Sequence, residues 1–324
     1  MKARLLLGWR LLKWACIGGL LLVVALAPEF FSAFFASSIG IQTLVLGIAA
    51  ASLVFLNAVV GMVSLAQTAL YGVAAYTTAK LAVEQGVDPW LAGLIGVGVT
   101  VAIGLMFGAI VSHSAGIYFL MITLAFAMIT YYFFSQVTAF GSHEGINNVQ
   151  PPSLLGSPFV NPAGMYYAAL ACSALVFVLI RYMQRTPFGY ALQGVRDQPD
   201  RSRALGFSVP LLRALGFTFG AFIAGIAGVL SVWYNSNISP GGIDLTRTID
   251  LLVIAVVGGL GRLEGAWIGA LLFTLLETYS PAYTARFETA IGLAFLAVVF
   301  ISPGGIAGLL TSVDRGVRRL LEGG

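Results

Sequence analysis

Charge is what this sequence has least of: only 9% of its 324 residues are Asp, Glu, Lys or Arg. A soluble domain carries about 25%, so this chain cannot clothe a water-facing surface. That shortage excludes a soluble enzyme, a disordered regulator or a nucleic-acid binder as a description of the whole chain. Cysteine is almost missing as well. Cys16 and Cys172 lie far apart in apolar segments, where small buried residues are a plainer reading than a disulfide or a metal site. No Gly-x-x-x-x-Gly-Lys-Ser/Thr phosphate loop and no Gly-x-Ser-x-Gly elbow occurs. His113 and His143 are distant in sequence and lack cysteine or carboxylate partners at ligand spacing. The sequence therefore predicts no catalytic residue, no metal and no bound cofactor.

What is present is apolar: 59% of residues are hydrophobic and the mean hydropathy is +0.93. Runs such as Val97–Val111 and Ala168–Ile180 show none of the alternation of a membrane β-barrel. Inside lipid they must be helices, because each segment has to satisfy its own backbone polar groups. Windows of about 20 apolar residues predict ten spans near 14–35, 39–60, 64–84, 90–111, 116–139, 163–183, 210–233, 248–262, 264–280 and 284–302. The first is read as an uncleaved span. Ala25-Leu26-Ala27 offers a cleavage site, but Pro28 follows it and apolar residues continue to Phe35.

Basic residues orient these spans. Lys2, Arg4, Arg10 and Lys13 precede the first; Arg181, Arg185, Arg196, Arg201, Arg203 and Arg213 flank a central polar break; Arg315, Arg318 and Arg319 follow the last. Six spans before the break and four after it place these groups and Arg262 on the cytoplasmic side, with both termini. Only Lys80, Arg247 and Arg286 are left outside. Segment 140–162 is then an outer, turn-rich loop and 184–209 the one sizeable inner segment.

Within the inner segment a short helix is expected from Pro199, capped by Asp197 or Gln198 and stopped by Gly206. It would carry Asp200, Arg201, Arg203, Ala204 and Leu205, with Phe207 following, a charged and apolar plug suited to a partner's groove. An ordinary basic loop is the alternative. Gly104/Gly108, Gly216/Gly220, Gly261/Gly265 and Gly265/Gly269 are spaced for close helix packing. The cluster Gly258-Gly259-Leu260-Gly261 interrupts a short span, as broken helices do where they line a cavity or gate it. Polar residues at membrane depth are costly and mark Asn57, Ser64, Gln67 and Thr123 as pathway candidates, with helix–helix hydrogen bonds as the equal alternative. No ionisable residue falls at the middle of a span; Glu29, Asp250 and Glu277 lie near outer ends. That pattern argues against ion coupling, and a mainly apolar pathway suits a solute delivered by another protein.

The stretch Gly189 to Gly206, with Ala191-Leu192, Val195-Arg196-Asp197 and Ala204-Leu205-Gly206 in register, resembles the coupling loop of branched-chain amino acid ABC importer permeases of the LivM family. Four further blocks agree in order: Asn57 to Tyr76, Gly116 to Phe126, Glu144-Gly145-Ile146 and Val256 to Ala270. Pro199, Arg203 and Ala66 depart from the family pattern. The resemblance implies one all-α transmembrane permease domain of the vitamin-B12-importer-like type, with 39–139 and 210–302 as inverted repeats. It implies residence in the bacterial inner membrane beside a homologous second permease subunit. Two ATP-binding cassette subunits would bind the ATP, and a periplasmic solute-binding protein would deliver the solute to the outer loops. Arg196, Asp197, Pro199, Arg201, Ala204, Leu205 and Gly206 would couple to the ATPase, and Gly258, Gly259 and Gly261 would gate. Branched-chain or related amino acids are the implied solutes, with urea or short-chain amides, or an ion-coupled secondary transporter, as alternatives.

Overall fold

The computed structural model describes residues 35–154, 157–158, 162–283, 287–301 and 304–308. The expected first span (but for Phe35), with Cys16, Glu29 and the basic residues before it, lies outside them, as do Arg286 and the basic residues at 315–319.

Within the described residues the expected apolar runs become helices. α1 spans Ile41–Phe55 and is flanked by π turns at Phe35–Gly40 and Leu56–Val60. There follow α2 (Gln67–Glu84), α3 (Pro89–Val111), α4 (Ile117–Gln136) and α5 (Pro162–Gln184). The polar break folds into α6 (Pro187–Asp197) and α7 (Pro199–Ala204). The second half holds α8 (Val209–Asn235), α9 (Leu245–Gly258), α10 (Leu263–Tyr283) and α11 (Phe287–Ile301). Proline opens α3, α6, α7 and α8 within their first two positions, where its missing N–H has no partner to lose.

Two helices form the centre. The span containing α1 is 83% buried within the protein and α8 72%, whereas α3, α4 and α5 are at most 33% buried. The outer helices expose Leu94, Met106, Ile110, Ile117, Met121, Ile129, Leu175 and Val178, an apolar surface suited to lipid or to another apolar helix. α1 packs on α10 while α8 packs on α3. This reciprocal exchange of first and third helices is what two repeats, 39–139 and 210–302, would produce.

The expected ten spans do not all look alike. Among the described residues five helices are long and apolar enough to cross a bilayer, or six if α9 and α10 count as one broken span. α2 falls short because it carries Gln67, Thr68, Thr77, Thr78 and Lys80. It packs against both α8 and α3, so protein rather than lipid surrounds it. α9 has 14 residues, about 21 Å of helix against a hydrocarbon core of ~30 Å. It meets α10 at a bend of 119°. The chain is therefore sharply bent at the glycine break, as a broken span or a re-entrant loop would be.

The glycine pairs divide. A Cβ on Gly104 would lie 2.4 Å from that of Ala221, and one on Gly265 2.3 Å from the Gly258 carbonyl oxygen, so both sit at helix contacts. Gly261 meets no atom within 4 Å, so the expected Gly261/Gly265 pair is not a packing pair. Nor is the outer loop only turns. Ile146–Asn147 pairs antiparallel with Asn237–Ile238, and the Val149 N–H donates to the Ser236 carbonyl at 2.9 Å, tying the loop to the end of α8.

Candidate coupling and translocation site

α6 is built to lie on the bundle. Thr186 accepts a hydrogen bond from the Gly189 N–H at 3.2 Å, closing its first turn. Gly189, Leu192 and Val195 share one buried face, and Tyr190 points outward. One residue, Gln198, separates it from α7. The expected cap is missing: Gln198 makes no side-chain cap bond. Asp197 is engaged instead by the Nε of Arg196 at 2.8 Å, which holds its carboxyl below the usual range.

The stop at Gly206 follows the expectation. Its φ is +88°, a backbone conformation that L side chains rarely adopt. The Gly206 N–H donates to the Arg203 carbonyl and the Phe207 N–H to the Ser202 carbonyl, the paired bonds of a Schellman motif. Leu205 is left 71% exposed beside Phe207, with Asp200 and Arg203 paired at 2.9 Å across the same short helix. Pro199, Arg201 and Ala204 lie in this helix, Arg201 exposed.

Arg196 points the other way. Its guanidinium donates to the Ala58 carbonyl and its stem lies over Gly61, so it grips the π turn that ends α1. The same turn reaches a second element. Asn57 donates through Nδ2 to the Leu260 carbonyl at 3.0 Å, in the break between α9 and α10. Thus two successive residues of one turn, Asn57 and Ala58, hold the glycine break and the loop helix.

At the break, Gly259 has φ +115° and its Cβ would approach the Gly304 carbonyl oxygen to 2.6 Å. Gly258 is packed still closer, against the Gly265 backbone. Of the three candidate gating glycines only Gly261 stands in open space. An ion pair between Arg181 and Glu264 ties the last turn of α5 to the first turn of α10 beside this break.

The other pathway candidates converge on the turn at 64–67. Thr123 Oγ1 accepts from the Leu65 N–H at 3.2 Å and donates to the Leu120 carbonyl, and Ser64 Oγ accepts from the Ala66 N–H. Both shape the turn leading into α2. Gln67 is buried, and neither amide atom has a partner among the described residues.

A cavity with a mixed polar and apolar lining lies at the opposite ends of α1 and α8 from the loop helices. It encloses about 260 Å³ and is lined by polar groups including Gln42, Thr68, Tyr71, Asn235, Arg247 and Asp250, with Val45, Leu46, Ala49, Leu251 and Phe273 as apolar wall. Arg247 Nη1 lies 3.5 Å from Asp250 Oδ2 and donates at 3.0 Å to Glu277, which also accepts from Gln42 at 2.9 Å. Sequence reasoning placed Asp250 and Glu277 at separate span ends. The i, i+3 spacing of Arg247 and Asp250 was the available signal that two charges share one helix face.

A family model described as "Branched-chain amino acid transport system / permease component" matches residues 35–302. The chain is 27% identical over 283 residues to the high-affinity branched-chain amino acid transport system permease protein LivM of Salmonella typhimurium, covering 79% of this chain and 66% of that one. To the corresponding LivH protein of Escherichia coli it is 29% identical over 181 residues, 51% of this chain and 57% of the relative. To BraD of Pseudomonas aeruginosa it is 30% identical over 137 residues, 41% and 44%. The chain thus spans between 44% and 66% of the length of these relatives. No solved structure matches it. The family match covers most of the chain, including the loop helices, the glycine break and both halves of the bundle: the chain belongs to the permease-component family of branched-chain amino acid transport systems.

Proposed function

We propose that this chain is the membrane-spanning permease subunit of an ATP-driven importer for branched-chain or related amino acids. The observation that carries the reading is the α6–α7 unit, a short helix with a fixed stop and an exposed Leu205–Phe207 edge, anchored through Arg196 to the end of α1. Such an edge fits the groove of a separate ATPase, and the chain carries no phosphate loop of its own.

In this reading the loop helices face the cytoplasm, as the cluster of arginines there implies. A second permease subunit and two ATP-binding cassette subunits complete the machine. A periplasmic solute-binding protein docks near loop 140–162. Closure of the ATPase pair pushes on α7, and Arg196 passes the push to the π turn of α1. Asn57 then shifts the break at Gly258–Gly259, tilting α9 against α10. The glycine break and the bend of 119° there support this step, because a helix interrupted by glycines can tilt about the interruption.

Leu205→Asp and Gly206→Pro test the coupling. Proline fixes φ near −65° and cannot adopt the left-handed stop. ATP-dependent uptake of leucine should fall about tenfold or more in both, with membrane insertion intact. Normal uptake in both variants would overturn the coupling role. Uptake abolished by collapsing the proton gradient at constant ATP would favour an ion-coupled carrier. Equilibrium binding of amino acids, urea and amides to the partner binding protein decides the solute class.

A further inference from the structure

We infer that the cavity between α1, α2, α8, α9 and α10 is a binding site for a zwitterionic aliphatic α-amino acid within this subunit. The inference rests on the importer reading above and adds a site to it. The pathway was expected to be mainly apolar, serving only as a passage. The cavity instead presents two fully charged side chains, Arg247 and Asp250, one of each sign and 3.5 Å apart. An amino acid carries an ammonium and a carboxylate at a similar separation, so it can exchange partners with this pair without leaving a charge unmatched. An inorganic anion would meet Asp250, with Glu277 behind it, at a like-charge cost, and a simple amine would offer Arg247 no new acceptor. Urea carries no full charge to set against either.

Second, Thr68 lines the cavity with a buried hydroxyl that has no partner among the described residues. A buried hydroxyl without a partner is costly, and a ligand carboxylate would satisfy it. Behind the charged pair, Glu277 binds both Arg247 and Gln42 and so fixes their orientation as a positioning residue. Val45, Leu46, Ala49, Leu251 and Phe273 offer an apolar wall for the side chain. The size agrees. A cavity of ~150 Å³ accepts benzene, and this one, at about 260 Å³, has room for an amino acid the size of leucine.

The test uses the assembled importer in nanodiscs, without nucleotide or binding protein, and measures equilibrium binding of tritiated L-leucine. Saturable binding is expected. Isocaproate and isoamylamine, which each keep one of the two charges, should compete about tenfold or more weakly than leucine itself. Asp250→Asn and Arg247→Gln should each weaken leucine binding about tenfold or more. Because those changes disturb an ion-pair network, Thr68→Val serves as the second variant. It removes a hydroxyl with no described partner, so the melting temperature should hold while leucine binding weakens about fivefold. Absence of saturable binding in a complex that does import leucine with ATP and binding protein would overturn the site and leave the importer reading standing. Equal competition by isocaproate or isoamylamine, or unaltered binding by Thr68→Val, would also overturn it. Saturable leucine binding in a complex that fails to import would keep the site and sink the importer reading.

Discussion

Arg196 has a task that its place in a basic loop did not disclose. Six arginines around one polar break read as topology, and nothing in their spacing separates the one that turns inward. Its partner is the Ala58 carbonyl, 138 residues away in the chain. Asn57 is a similar case. It was legible as a polar residue at membrane depth, but its amide closes on Leu260 across 203 residues. The glycines are more transparent. Gly259→Ala should destabilise the chain by about 1–2 kcal/mol because an L side chain is forced to φ +115° against the Gly304 backbone. Gly261→Ala, in open space, should leave the melting temperature within about a degree of the parent. Thermal unfolding of the two detergent-solubilised variants compares them directly; equal melting would refute the steric account.

The helices themselves were legible because lipid leaves few options. An apolar run of 20 residues must be a helix, and proline and glycine mark where it starts and stops. Legibility failed where protein replaces lipid. α2 is polar for a membrane helix because α3 and α8 wrap it, so its composition reports neighbours rather than solvent. The charged cavity was hidden for the same reason. Arg247, Asp250 and Glu277 are near span ends, and only the 119° reversal between α9 and α10 brings them together with Gln42. At this scale the bond from Asn57 is a hinge pin. Asn57→Leu deletes the side-chain donor to the Leu260 carbonyl. Amide exchange in 258–263 should then accelerate several-fold, with exchange in the centre of α1 unaltered. Unaltered exchange in 258–263 would mean that the break is held by glycine packing alone.

For the whole molecule, scarcity of charge was the most informative property. It made the chain a membrane protein, and the placement of the few basic residues set the end that carries the loop helices apart from the opposite end. The structure adds that these ends are joined through α1. Its start lines the charged cavity, and its last turn holds both the loop helix and the glycine break. α1 is thus a buried rod with the cavity at one end and the loop helices at the other. Movement at the α7 end should therefore alter affinity at the cavity, and solute in the cavity should alter docking at α7 by the same factor.

The ratio of leucine taken up to ATP hydrolysed, measured in proteoliposomes holding the assembled importer and its binding protein, tests this connection most directly when the parent is set against Arg196→Ala. The account expects the ratio to fall about tenfold, because losing the charge-assisted bond to Ala58 loosens the loop's grip on the end of α1. An unchanged ratio would contradict it.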